Sequence, residues 1–200
     1  YGVGITSLIA IHEAGHVLAC KFYGISSEAP VFGGAFAYIK HDVPVDAYKA
    51  AMVALAGPVV GSLGALSYAG VGYYMDSPIL MDLGGTGLVL NFMNLLPIRP
   101  LDGGSIVRAI SPALTVGFAG ASCVGVGALA VSGYTSDVSL LNTALLYTEI
   151  GLVVGLGSIA AYNIIKKTEV LPNKYFRIGF KRKAGLFAAY VASIAAMIAA

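Results

Sequence analysis

The residues from His12 to His16, HEAGH, bring two imidazoles and a carboxylate together within about one turn of a helix. Residues four positions apart on an α-helix lie on one face about 6 Å apart along the axis, so both imidazoles can bind one Zn²⁺ ion. Glu13 then stands beside the metal, where it can take a proton from the water that the metal activates. Chance produces this pattern in about one chain per thousand of this length and composition. The pattern therefore predicts a zinc site with its own general base.

The composition shows what kind of chain carries this pattern. Only 11% of the 200 residues are charged and 58% are hydrophobic, whereas an ordinary globular protein is about 25% charged. These values exclude a disordered chain and a nucleic-acid binder with a broad basic face, because too few charges are present to solvate a surface or neutralise many phosphates. They predict an all-α polytopic membrane protein that lies in a lipid bilayer and has no nucleic-acid partner.

Charge-free apolar runs predict the spans, because a helix needs about 20 apolar residues to cross the hydrocarbon. About six transmembrane helices are expected, at 2–21, 50–75, 83–98 with a continuation toward 108, 109–136, 138–165 and 184–200. We assign residues 1–110, which carry the motifs, to a three-helix core and residues 111–200 to three further transmembrane helices. Cys20 and Cys123 lie in apolar runs, so neither a disulfide framework nor a cysteine-based zinc cluster is expected.

The basic residues test this assignment and predict its orientation. When six spans cross the membrane alternately, all 12 Lys and Arg fall on one side. By the positive-inside rule that side is cytoplasmic. We therefore expect a multi-pass protein of a prokaryotic cell membrane, with its site of chemistry toward the cytoplasmic side.

A catalytic zinc ion takes three protein ligands and a water, so the two histidines leave one ligand to be found. Asp102 is the main candidate, because Pro97 and Pro100 interrupt the third apolar run just before it. Irregular backbone at membrane depth is tolerated only where protein or a water-filled cavity covers it. By helix rise, Asp102 lies about 9 Å inward from Arg108. The two histidines lie about 8 and 14 Å inward from Lys21, so all three residues reach a similar depth.

Other interpretations of these polar residues stay open at the level of sequence. The histidines can be buried residues satisfied by hydrogen bonds, although ionisable groups at bilayer depth are usually functional. Asp102 can cap a helix. Cys20, one turn beyond His16, can be a ligand or pack at the helix end. Glu149 has no spacing that pairs it with the histidines, which favours a structural role over a metal ligand.

The segment VFGGAFAYIK lies in the long loop between the first two spans and is rich in aromatic and β-branched residues. This pattern predicts a small β-strand or hairpin element at the cytoplasmic membrane surface. An irregular interfacial loop is the alternative, because the alternation is short and the pair Gly33 and Gly34 weakens it.

Three motifs in order carry a resemblance to a known family. HEAGH in the first span, AGP at 56–58 in the second and NLLPIRPLDGG at 94–104 in the third resemble the motifs of the site-2 protease family of intramembrane zinc metalloproteases. The resemblance covers the three-span core. It implies one Zn²⁺ per chain, bound by His12, His16 and Asp102, with Glu13 as the general base.

The resemblance also implies a catalytic role for Asn94, which would hold the substrate strand or polarise its carbonyl. A hydrogen bond between helices is the alternative for this amide.

Two positions depart from the family pattern. Gly61 stands where the family often has an asparagine, so any role of that residue is absent or moved. Arg99 replaces a small residue or proline and can contact substrate, line a water path or extend outward to the interface.

These features predict a zinc-dependent intramembrane endopeptidase that cleaves a peptide bond in the transmembrane segment of a membrane-protein substrate. A transporter or channel that uses the intramembrane His, Glu and Asp cluster as an ion path is the first alternative. The sequence shows no inverted repeat that would support it. A non-catalytic scaffold derived from a protease is the second alternative, and the intact set of ligands argues against it.

Overall fold

A computed structural model of the chain describes residues 1–28, 31–33, 36–38, 42, 46–111 and 173–200. Within these residues the chain is mostly helical. Its α-helices are α1 (Gly2–Tyr23), α2 (Ala47–Tyr74), α3 (Pro78–Asn94), α4 (Asp102–Ile110) and α5 (Phe180–Ala199), and a 3-10 helix (Asn173–Phe176) precedes α5. Two short strands are β1 (Val31–Gly33) and β2 (Phe36–Tyr38). The fourth and fifth predicted spans, together with Cys123 and Glu149, lie outside the described residues except for 109–111.

Among the described residues, α1, α2 and α5 are long and apolar enough to cross a membrane. Their bounds confirm the first, second and last predicted spans to within a few residues. The last helix begins at Phe180 rather than Ala184, so Lys181, Arg182 and Lys183 lie inside it. Lysine and arginine are good helix formers, and their long side chains can extend toward a polar interface from the end of an apolar helix.

The third predicted span is broken in two. Helix α3 ends at Asn94, irregular backbone follows, and α4 begins at Asp102. Pro97 and Pro100 lie in the irregular segment, because proline has no N–H for a helix and forces the preceding residue out of the helical conformation. The predicted interruption is confirmed, and it puts the carboxylate of Asp102 directly after the break.

Helix α2 is the central element of the described core and packs against α1, α3, α4 and α5. Its buried positions are mostly small, including Ala51, Ala54, Gly57, Gly61 and Ala65. Helices in a membrane gain no hydrophobic energy from leaving lipid, so small residues that permit close backbone approach are the usual way to pack them.

A hydrogen bond ties the C-terminal helix to the break in the third span. The hydroxyl of Tyr190 on α5 donates to the carbonyl of Leu95, with 2.5 Å between the oxygens. Leu95 is 1% exposed and belongs to the core cluster that also contains Ile106 and Leu186. The residues before Asp102 are therefore held by a helix that lies far away in sequence.

The segment for which a strand or hairpin was predicted contains β1 and β2. They pair antiparallel, with Val31 opposite Tyr38 and Gly33 opposite Phe36. Strand β2 lies against α1, the helix that carries the HEAGH sequence.

Replacing Tyr190 with phenylalanine should destabilise the protein by about 0.5–1.5 kcal/mol, because the buried carbonyl of Leu95 loses its donor while the ring is retained. Thermal unfolding in detergent measures the change. Tyr73→Phe is the matched control, since Tyr73 is 80% exposed. Equal melting temperatures for the two variants would contradict the expectation.

Candidate metal centre

Three side-chain atoms from two separate segments converge at one point. The Nε2 atoms of His12 and His16 on α1 are 3.1 Å apart. The Oδ2 atom of Asp102, at the start of α4, is 3.3 Å from the Nε2 of His12 and 3.4 Å from that of His16. The structure thus brings together the three residues predicted as ligands, and the carboxylate of Asp102 faces the histidines rather than capping its own helix.

The hydrogen bonds at the far side of each ring define its tautomer. The Nδ1 atom of His16 is 2.8 Å from the carbonyl oxygen of Val53, which can only accept, so Nδ1 carries the proton. The Nδ1 atom of His12 is 2.7 Å from the Oδ1 atom of Asn91. The amide of Asn91 is oriented by its Nδ2, which donates to the carbonyl of Gly87 at 2.7 Å. With the proton on Nδ1, each imidazole in its neutral form presents an unprotonated Nε2 to the cluster.

This arrangement favours a positive charge at its centre. With both imidazoles neutral, two nitrogen lone pairs and a carboxylate oxygen face one another, and a metal ion or an added proton between them relieves their mutual repulsion. A tetrahedral zinc ion with bonds of about 2.0–2.1 Å has neighbouring ligand atoms about 3.3 Å apart. The observed separations of 3.1, 3.3 and 3.4 Å match that spacing. The two imidazoles and the carboxylate therefore fit Zn²⁺ with one position left open.

Glu13 lies beside the cluster and is buried. A carboxylate oxygen of Glu13 and one ring nitrogen of each of His12 and His16 lie within 4.8 Å of one another. At this distance the carboxylate can reach a water beside the histidines, which is the requirement for a general base.

Gly57, the glycine of the AGP sequence, is what lets α2 pass close to the cluster. A Cβ atom at this position would overlap the imidazole of His16 and lie 2.9 Å from the Nε2 of His12. The structure thus supplies a physical reason for a small residue between Ala56 and Pro58: any side chain there would displace the ligands.

Asn91 is a contact of the cluster that the sequence analysis missed. It is buried on α3, one turn before Asn94, and it is the acceptor for His12. The signal in the sequence was an amide inside an apolar helix, near its C-terminal end, because polar side chains in such helices usually have a partner. Asn94 donates to the carbonyl of Leu90 in its own helix at 3.2 Å, so this hydrogen bond does not join two helices.

The structure describes two of the other polar candidates, Cys20 and Arg99. Cys20 is fully buried with a free thiol, and the group of metal-capable side chains found in the described part of the chain does not include it. Arg99 is exposed in the segment between α3 and α4. Glu149 lies outside the described residues.

Within its described residues, the chain belongs to a broad class: a helical protein with three segments apolar enough to cross a membrane and a His, Glu and His group that could hold a metal ion. No protein-family model matches the chain. Over 111 residues the chain is 31% identical to the zinc metalloprotease MJ0392 of Methanocaldococcus jannaschii. The match covers 51% of this chain and 31% of that protein, so the chain spans about a third of the length of this relative.

Purified protein should contain about one Zn²⁺ per chain, because the two imidazoles and the carboxylate leave one open position on a tetrahedral ion. His16→Ala and Asp102→Ala should lose the metal on dialysis against a chelator. Asp82→Ala, which removes an exposed carboxylate from α3, should retain it. Metal analysis by mass spectrometry decides between these outcomes, and full zinc in Asp102→Ala would mean that the third ligand lies elsewhere.

A methyl group at Gly57 should also abolish zinc binding, because it would occupy the space of the imidazoles. Gly70→Ala is the matched control, since a Cβ atom at Gly70 on the same helix has nothing within 4 Å. Zinc content and melting temperature of the two variants are compared. Normal zinc content in Gly57→Ala would show that α2 and the imidazoles can separate at little cost.

Proposed function

We propose that this chain is an intramembrane zinc metalloprotease of the site-2 protease type, which hydrolyses a peptide bond inside a transmembrane segment of a membrane-protein substrate. One observation carries the proposal: the Nε2 atoms of His12 and His16 and the Oδ2 atom of Asp102 converge beside a buried Glu13. His12, Glu13 and His16 lie on α1, a helix apolar enough to cross a membrane. The similarity to a protein named as a zinc metalloprotease supports the same reaction class.

The residues of the cluster have distinct roles in this reaction. A zinc ion held by the three ligands supplies a Lewis acid that polarises the scissile carbonyl and makes a water acidic. Glu13 accepts a proton from the attacking water, and the water oxygen forms a bond to the carbonyl carbon. The carbon–nitrogen bond then breaks, and Glu13 returns the proton to the leaving amine. Val53 and Asn91 hold the two imidazoles in the tautomer that leaves Nε2 free.

The depth of the cluster determines where the substrate is cut. By helix rise, His16 and His12 lie about 8 and 14 Å before Lys21, the first basic residue after the motif. With the basic side cytoplasmic, cleavage falls in the cytoplasmic half of the substrate's membrane segment. An intact helix hides its carbonyls in its own hydrogen bonds, so the substrate must unwind locally before the bond is exposed.

The β1 and β2 pair gives the unwound substrate a place to bind. Strand β2 lies against α1, and a strand edge can pair main chain to main chain with an extended peptide. We assign Asn94 a second substrate contact, because it is only partly buried and lies one helical turn beyond Asn91 toward the break. Its amide is near enough to the end of α3 to turn from Leu90 toward a bound strand.

Glu13→Gln should keep zinc and lower proteolysis by about 10²–10⁴-fold, because the amide cannot accept the proton while both histidines stay in place. The assay is cleavage of a model transmembrane substrate in detergent, with zinc content measured on the same sample. Glu28→Gln is the control, since Glu28 is exposed outside the cluster. Cleavage at the wild-type rate would remove Glu13 as base, and ion transport that survives the substitution would favour a transporter.

The substrate's own helix stability should control the rate. Gly, Asn or Pro near the cleavage site should speed cleavage, and Leu at the same positions should slow it, because Leu restores the helix that hides the bond. Product masses for a model substrate and its Leu variants, in detergent and in liposomes, give the site and the rate. Cuts confined to the soluble flanks, with no response to helix stability, would indicate a membrane-anchored protease that acts on exposed peptides.

A further inference from the structure

The two histidines of the metal centre are held in different ways. His16 donates to a backbone carbonyl, that of Val53, which no substitution at that position removes. His12 depends on a side chain, the amide of Asn91, which is 2% exposed. Its Oδ1 atom accepts from His12 and its Nδ2 atom donates to the carbonyl of Gly87. The orientation of His12 therefore depends on one residue of a helix other than its own.

We propose that Asn91 is a positioning residue of the metal centre, and that Gly61 on α2 is the position that makes room for it. The inference rests on the metal site of the proposed function but not on proteolysis. In this chain the amide that orients His12 comes from α3. Helix α2 has no side chain at position 61, which leaves space for that amide.

The space around Gly61 supports this pairing. A Cβ atom built at Gly61 would overlap the Oδ1 atom of Asn91 and lie 2.9 Å from its Cγ and Nδ2 atoms. A side chain at position 61 and an asparagine at position 91 thus compete for one volume. The separation between that Cβ and the Oδ1 of Asn91 is close to the Cβ to Oδ1 separation within a single asparagine. An asparagine at position 61 can therefore put its oxygen where the oxygen of Asn91 now lies, 2.7 Å from the Nδ1 of His12.

The two positions should therefore exchange their roles. Asn91→Ala removes the acceptor, which frees the ring of His12 to rotate or to change tautomer, and loss of such a partner weakens metal binding by about 10–100-fold. Gly61→Asn alone should weaken binding as well, because two amides then compete for one volume. The double variant Gly61→Asn with Asn91→Ala contains one amide in that volume and should recover zinc affinity to within about threefold of wild type.

The experiment measures Zn²⁺ affinity of the full-length chain in detergent by competition with a chelator, together with the visible spectrum of the Co²⁺-substituted protein. Gly70→Asn is the control for a new amide on α2, since its Cβ has nothing within 4 Å. Weak binding in both single variants, with recovery of affinity and of the Co²⁺ spectrum in the double variant, supports the proposal.

Wild-type affinity in Asn91→Ala would overturn the role of Asn91. A double variant no better than Asn91→Ala would overturn the exchange, because it would show that packing rather than the acceptor decides. Asn91→Asp and Asn91→Leu separate these effects at one site, since both have nearly the size of asparagine and only the first can accept the bond from His12. Equal affinities for these two variants would also count against the proposal. Zinc affinity is measured without substrate, so these results are independent of whether the chain cleaves peptides.

Discussion

The close approach of two imidazole nitrogens and a carboxylate oxygen, all within 3.4 Å of one another, is the constraint on which the rest of the structure depends. Three electron-pair donors at that distance repel, and their close approach is favoured by a positive charge between them and by the partners that hold each imidazole. The described helices supply that support. Helix α1 carries both rings, α2 provides the carbonyl of Val53, α3 provides the amide of Asn91, and the break after α3 delivers Asp102.

The central helix α2 contributes to the site mainly through positions that have no side chain. At Gly57 and Gly61 it has no side chain, and these are the positions that face the imidazoles and the amide of Asn91. Close helix packing in a membrane relies on such small residues, because lipid is as apolar as a hydrophobic side chain. Pro58, within the same helix, costs one backbone hydrogen bond and is fully buried among the neighbouring helices, the setting in which a membrane helix tolerates it.

The backbone before Asp102 is held partly by a residue far along the chain. Asp102 follows irregular backbone and begins α4, which packs against α2. Tyr190 of α5 anchors that backbone at Leu95, and Leu186 packs into the same cluster. The C-terminal helix thus helps α2 to hold the broken third span, although the motifs all lie in the first 110 residues.

The sequence alone determined three features: the pairing of His12 with His16, the interruption at Pro97, and the first, second and last spans. These features depend on spacing along one helix, on a local helix breaker or on an apolar run. Depth counting along the helices was enough to nominate Asp102. The hydrogen-bond partners of the ligands were decided only by the tertiary structure. Helices α2 and α3 are apolar on all sides, so their patterns do not say which face meets α1, and packing sets that rotation. For that reason Asn91, rather than Asn94, is the amide that reaches His12, and Gly61 leaves the space that it needs.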